Sequence, residues 1–131
     1  MIRDFLRTAL VSLRLIDPPD VLLRHVETQP SPEDIGPGDI VLVGEHGQLK
    51  WAVLRCPGEC ETIMRLPLAL NRRPHWSVSR DWLGRPSLSP SVHQRNACRA
   101  HFWIRKGAVT WCRDSGCGTS SSMQSRLDRT C

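Results

Sequence analysis

Two short clusters carry the metal chemistry legible in this sequence: Cys56 and Cys60 in Arg55-Cys56-Pro57-Gly58-Glu59-Cys60, and Cys98 and His101 in Cys98-Arg99-Ala100-His101. Thiolate sulfur and imidazole nitrogen are the donors that tetrahedral Zn²⁺ favours. Cys-x3-Cys and Cys-x2-His both fall within the usual spacing of paired zinc ligands. The blander reading is four small buried side chains, since unpaired cysteine is among the most buried residue types. As ligands, Cys56, Cys60, Cys98 and His101 close a tetrahedral sphere, the structural form of a zinc site. With one position left to water, and Glu59 or Glu61 as general base, the same cluster becomes a hydrolytic centre. Thiolate-rich spheres weaken the metal as a Lewis acid, and charged residues at a loop tip are normally just solvated.

The elements that must position these residues are mostly strands. Residues 40–43 and 49–54 read as a hairpin about Glu45-His46-Gly47 that delivers Cys56 at its end, and residues 62–66 as the next strand. Residues 75–79 and 87–89 are short strands around the turn Asp81-Trp82-Leu83-Gly84-Arg85-Pro86. Residues 102–104 and 108–111, joined by Lys106-Gly107, form a closing hairpin that starts beside His101. Residues 21–26 suit a strand or a helical turn. Upstream, Ile2, Phe5, Leu6, Ala9, Leu10, Leu13 and Ile16 recur at helical spacing, so residues 1–16 read as an amphipathic helix stopped by Asp17-Pro18-Pro19.

The expected fold is therefore mainly β: a small antiparallel, zinc-stabilised sheet or barrel with an N-terminal amphipathic helix laid on it. The organisation expected is helix over residues 1–20, β domain over 21–113 and a flexible polar tail over 114–131. That tail is too polar to fold alone. Cys112, Cys117 and Cys131 are left outside the metal site, although Cys112-x4-Cys117 offers a loose second pairing.

Composition sets the bounds. A chain of 131 residues is one domain with a modest core. Ten prolines, nine glycines and no tyrosine make a turn-rich body that benefits from a metal staple. Net charge is +5, with the basic residues scattered, so Arg72, Arg73, Arg95 and Arg99 make a weak case for nucleic acid. Asp4 and Arg14 interrupt the N-terminal segment, which argues against an export signal and for a reducing cytoplasm, where clustered cysteines are ligands rather than bridges. No stretch is long and apolar enough for a membrane span.

Beyond the cysteines, the ordered segments Val41-Leu42-Val43-Gly44, Leu49 to Cys60, Arg73-Pro74-His75-Trp76-Ser77-Val78, Asp81 to Val92 and Cys98 to Gly107 resemble a bacterial zinc-binding domain-of-unknown-function family. Its members are encoded beside ubiquitin-like modifiers and their activating and conjugating enzymes. The likeness spans residues 24–113 and implies a peptidase that processes or deconjugates a ubiquitin-like protein, with that protein, its conjugates and the conjugation enzymes as partners. It puts Cys56, Cys60, Cys98 and His101 on the family's Cys/His positions and Ser91 on the Ser of its Pro-Ser motif. The chain departs from it in having Glu61 and Thr62 after the second cysteine and no extra cysteine in the turn.

As a nucleophile, Ser91 needs a base within hydrogen-bond reach. His93 and His101 are the nearest in sequence, with Asp81 to orient either, and His101 cannot be both ligand and free base. Otherwise Ser91 caps a turn after Pro90. The alternative of another class is a non-catalytic zinc-stabilised module that binds the modifier or its enzymes through Trp76, Trp82, Trp103 and Trp111, residues that equally suit a core.

Overall fold

The computed structural model describes residues 2–16, 18–45, 47–58, 60–94, 98–116 and 127–128. Helix α1 (Ile2–Ser12) precedes β1 (Leu22–Val26), and a single 3₁₀ turn, Pro32–Asp34, leads to β2 (Asp39–Glu45), β3 (Gln48–Arg55) and β4 (Ile63–Pro67). Then come β5 (Ser77–Arg80), β6 (Pro86–His93), β7 (His101–Arg105), β8 (Ala108–Cys112) and β9 (Leu127–Asp128).

The strands make two sheets, ordered β1-β2-β3-β4 and β5-β6-β7-β8-β9. Every neighbouring pair is antiparallel except β1 with β2 and β8 with β9. Both sheets are open, so the architecture is mainly β as expected, without the barrel.

Alternation of side chains across the strands explains how the sheets meet. Ile40, Leu42, Ala52, Leu54, Met64 and Leu66 of the first sheet share one apolar cluster with Leu88, Val92, Phe102, Ile104, Val109 and Trp111 of the second. Phe102 and Trp111, fully buried, meet edge to face with centroids 5.6 Å apart. The opposite parity of β2 and β3 supplies a second cluster, Ile35, Val41, Val43 and Val53. Both faces of these strands are therefore covered, which is why they read as near-continuous apolar runs.

The closing hairpin is built as expected. Lys106 and Gly107 both have positive φ (49° and 77°), the primed turn whose twist matches its strands. It pairs Phe102 with Trp111 and Arg105 with Ala108.

Two expectations change. The helix stops at Ser12 and buries none of its residues. Its hold on the body is polar, an Arg7 Nη1 bond to the Leu83 carbonyl at 3.0 Å, while Ile2 and Phe5 stay over 70% exposed at 76% and 72%. Leu22 and Leu23 line one cleft with Ile2, Asp4 and Arg7 of the helix. Second, β6 runs through Ser91, so Ser91 is a strand residue rather than a turn cap. The tryptophans divide: Trp111 is core and Trp82 is 64% exposed. No helix among the described residues is long and apolar enough to cross a membrane.

Candidate active site

Ser91 owes its position to an irregularity in β6. Leu88 pairs with Ile104 and Val92 with Phe102, so Ser89, Pro90 and Ser91 stand opposite the single residue Trp103. Such a bulge bends the strand and re-aims side chains. Leu88 and Val92 anchor it in the core from either side, and the Trp76 indole N–H donates to the Ser91 carbonyl at 3.4 Å.

Across the ladder, His101 opens β7. Ser91 Oγ lies 3.0 Å from His101 Nε2, and His101 Nδ1 lies 2.6 Å from Asp114 Oδ1. With the carboxylate accepting from Nδ1–H, Nε2 is left with a lone pair toward the serine hydroxyl, the tautomer a general base requires. Asp114 is held well below the usual carboxylate range, chiefly by the hydrogen bond from His101. The histidine side chain is 12% exposed and the aspartate 60%, so the row runs from a sheltered base to an open edge.

The hairpin brings Asp114 here. His101 lies just before β7 pairs with β8, and Asp114 just after that pairing ends, so the two flank the same end. Three bonds fix the segment: Ser115 N–H to the Cys112 carbonyl at 3.1 Å, His101 N–H to Ser115 Oγ at 3.0 Å and Gly116 N–H to the Arg99 carbonyl at 2.8 Å. A Cβ on Gly116 would fall 2.5 Å from the Cys98 carbonyl oxygen, so glycine is what allows this approach. The exposed ring of His93 stacks on that of His101, 4.3 Å between centroids and 11° from parallel.

Asp81, expected to orient the base, is elsewhere. Its carboxylate accepts from Arg85 Nε at 2.7 Å and from the amides of Leu83 and Arg85 at 3.0 and 2.9 Å, closing the β5–β6 turn. Burial raises its pKa, but those bonds outweigh it and the carboxyl is held low.

The thiols form a separate group. Cys98 Sγ lies 3.0 Å from Cys60 Sγ and 3.6 Å from Cys56 Sγ, and the Gly58 amide donates to Cys56 Sγ at 3.4 Å. Burial pushes the Cys56 thiol up. At Cys60 burial acts the same way, but hydrogen bonds from Thr62 and Cys98 outweigh it and bring the thiol down to about 6. Three convergent sulfurs suit a soft divalent ion such as zinc.

His101 is not among them. It falls with His93 and Asp114 in a second convergent group, both ring nitrogens engaged, so the four-ligand expectation is corrected to three cysteines without the histidine. Glu61 is exposed on the loop, and Glu59 and Arg95 lie outside the described residues. Cys112 is buried and disulfide-bonded, and a bonded sulfur is not a thiolate ligand; Cys117 and Cys131 lie outside the described residues.

A hydroxyl, an imidazole and a carboxylate in hydrogen-bonded series, carried on a two-sheet β scaffold, define the hydrolase class that works through an activated serine. The chain belongs to the family described as bacterial ubiquitination-like system serine protease (BubE), which it matches over residues 26–112. It is thus a member of a peptidase family of a bacterial ubiquitination-like system. No curated protein and no solved structure matches it.

Proposed function

We propose that this protein is a serine peptidase that processes the precursor of a bacterial ubiquitin-like protein or removes that protein from its conjugates, with Ser91 as nucleophile, His101 as base and Asp114 as the group that orients it. The observation that carries the reading is the continuous series Ser91 Oγ, His101 Nε2, His101 Nδ1, Asp114 Oδ1.

In this reading Ser91 Oγ attacks the scissile carbonyl as His101 Nε2 takes the hydroxyl proton. The new C–O bond forms, the carbonyl π electrons move to oxygen, and Asp114 stabilises the imidazolium. Collapse breaks the C–N bond, His101 returns the proton to the leaving amine, and an acyl-serine remains. Water, deprotonated by the same histidine, then releases the carboxylate and regenerates Ser91.

Zn²⁺ is the ion proposed for Cys56, Cys60 and Cys98, where it would supply structural cross-linking. Cys56 and Cys60 bracket the β3–β4 loop and Cys98 lies in the β6–β7 loop, so an ion held there ties the two sheets beside the triad. The cytoplasm is the compartment proposed, on the clustering of Cys56, Cys60 and Cys98 as ligands, with the disulfide at Cys112 standing against it.

The test is incubation with a ubiquitin-like protein bearing a C-terminal extension. Cleavage by the parent and none by Ser91→Ala, with the fold intact by circular dichroism, is expected. Equal cleavage by both would overturn the serine route. Binding without cleavage by either would return the protein to the class of recognition modules.

A further inference from the structure

With His101 engaged at the serine, an amide oxygen is the buried side-chain acceptor that the described residues set beside two of the three sulfurs. Gln94 immediately follows β6, its backbone N–H bonded to the Ala100 carbonyl at 2.7 Å across the neck of the β6–β7 loop. Its side chain turns away from the serine side. Oε1 lies 3.4 Å from Cys98 Sγ and 3.5 Å from Cys60 Sγ. Among the described residues it is the one buried polar side chain, at 9% exposure.

We propose that Gln94 Oε1 is the fourth protein donor to a zinc-class divalent ion held by Cys56, Cys60 and Cys98. A buried amide oxygen needs a strong partner, and thiols are weak donors. An oxygen set against two of the sulfurs is stabilised by a cation held at the centre of the three. A tetrahedron with Zn–S of about 2.3 Å has sulfur–sulfur edges of about 3.8 Å; the Cys56–Cys98 separation is 3.6 Å, while Cys60 and Cys98 stand closer, at 3.0 Å, and would part to admit the ion. Closing the sphere with Gln94 also leaves no protein-coordination vacancy for water, in keeping with a cross-link rather than a hydrolytic metal.

The division of labour follows from one loop. Ser91 and His93 lie on the side of β6 that meets His101, and Gln94, one residue on, meets the thiols. An amide oxygen is a harder and weaker donor than imidazole for an ion in a sulfur-rich sphere. This site should therefore hold zinc less tightly than a three-cysteine, one-histidine sphere. The inference does not rest on the peptidase reading, because metal retention and peptide cleavage are measured separately.

The experiment uses the full-length protein loaded with Zn²⁺ or Co²⁺. Gln94→Leu, similar in size but lacking the donor, should lose zinc to a chromogenic chelator at least about tenfold more readily than the parent, the order of effect seen when groups supporting a metal site are removed. Its cobalt visible bands should change position and intensity. Gln94→His, which exchanges oxygen for nitrogen, should keep the metal, bind it more tightly and shift the cobalt bands. Unchanged zinc retention and cobalt spectrum in Gln94→Leu would overturn the proposal. Should that variant fail to fold, unshifted cobalt bands in Gln94→His would overturn it equally. Release of the metal by Glu59→Gln, with Gln94→Leu retaining it, would assign the fourth position to the carboxylate instead.

Discussion

The β6–β7 loop has a different chemistry at each face. On one, Ser91, His101 and Asp114 form a row that ends in an open carboxylate. On the other, Cys56, Cys60 and Cys98 converge, with a buried glutamine against the last two. The first arrangement is directional, since each group is hydrogen-bonded to the next and a proton can pass between the serine and the histidine. The second is convergent, with several donors aimed at one point and no path between them. Directional rows suit proton transfer and convergent groups suit an ion, so proximity in sequence does not imply a shared role. His101, three residues from Cys98, belongs to the row.

The largest effect that sharpens this contrast should come from Ser91→Ala. If the row is the nucleophilic machinery, kcat falls by on the order of 10⁶-fold, the loss seen when a serine nucleophile is removed, while zinc content stays at the parent level. A loss of zinc together with activity would collapse the two faces into one.

Asp114→Asn should cost on the order of 10⁴-fold in kcat through the wrong tautomer of His101. The sign of its pH dependence is fixed by Asp114. The hydrogen bond from His101 holds its carboxyl below the ordinary carboxylate range, so its contribution is complete above that range and fades only as pH falls through the folded value. Protonation of Asp114 itself should therefore add no limb to the parent's kcat/KM profile above about pH 5. Such a limb would speak against the assigned role.

Disturbing the convergent face should act on the fold first. Removing the ion with a chelator, or replacing Cys98 by Ser, should lower the melting temperature by about 10 °C, as expected for losing about 3 kcal/mol of binding linkage. Activity should fall in proportion to the unfolded fraction. Activity lost at a temperature where the protein remains folded would give the ion a direct part in the reaction.

The smallest effect should be that of His93→Ala. Removing the ring stacked on His101 frees the base to leave Ser91, and an aromatic contact of about 0.5–1 kcal/mol corresponds to a two- to fivefold drop in kcat/KM. A parent-like rate would make the stack incidental.

Much of the β framework was legible because its signals are local. Short apolar runs bounded by turn residues marked β2, β3, β7 and β8, and Lys106-Gly107 marked the closing turn. The thiol group was legible from spacing, since the three cysteines do converge. His101 was named both as ligand and as base, because spacing alone cannot tell a donor pointing at a metal from one pointing across a strand. Asp114 was missed. The change to polar residues after Cys112 looked like the start of a tail, yet the hairpin carried a usable signal. A two-residue turn at Lys106-Gly107 returns the chain so that the residues after β8 stand beside the start of β7. Any carboxylate there was a candidate partner for His101. Gln94 gave no signal, because amides seldom read as ligands.

The bulge also imposes an arithmetic on the gene. Leu88 and Val92 both point inward with three residues between them against one between their partners, so β6 carries an excess of two. Losing a single codon between them would leave two residues opposite Trp103, an ordinary one-residue bulge that keeps both core side chains inside but re-aims the hydroxyl. Losing two would restore the regular ladder and flatten the strand beneath the serine. Length at this place is therefore tied to where Ser91 points rather than to the packing of the core.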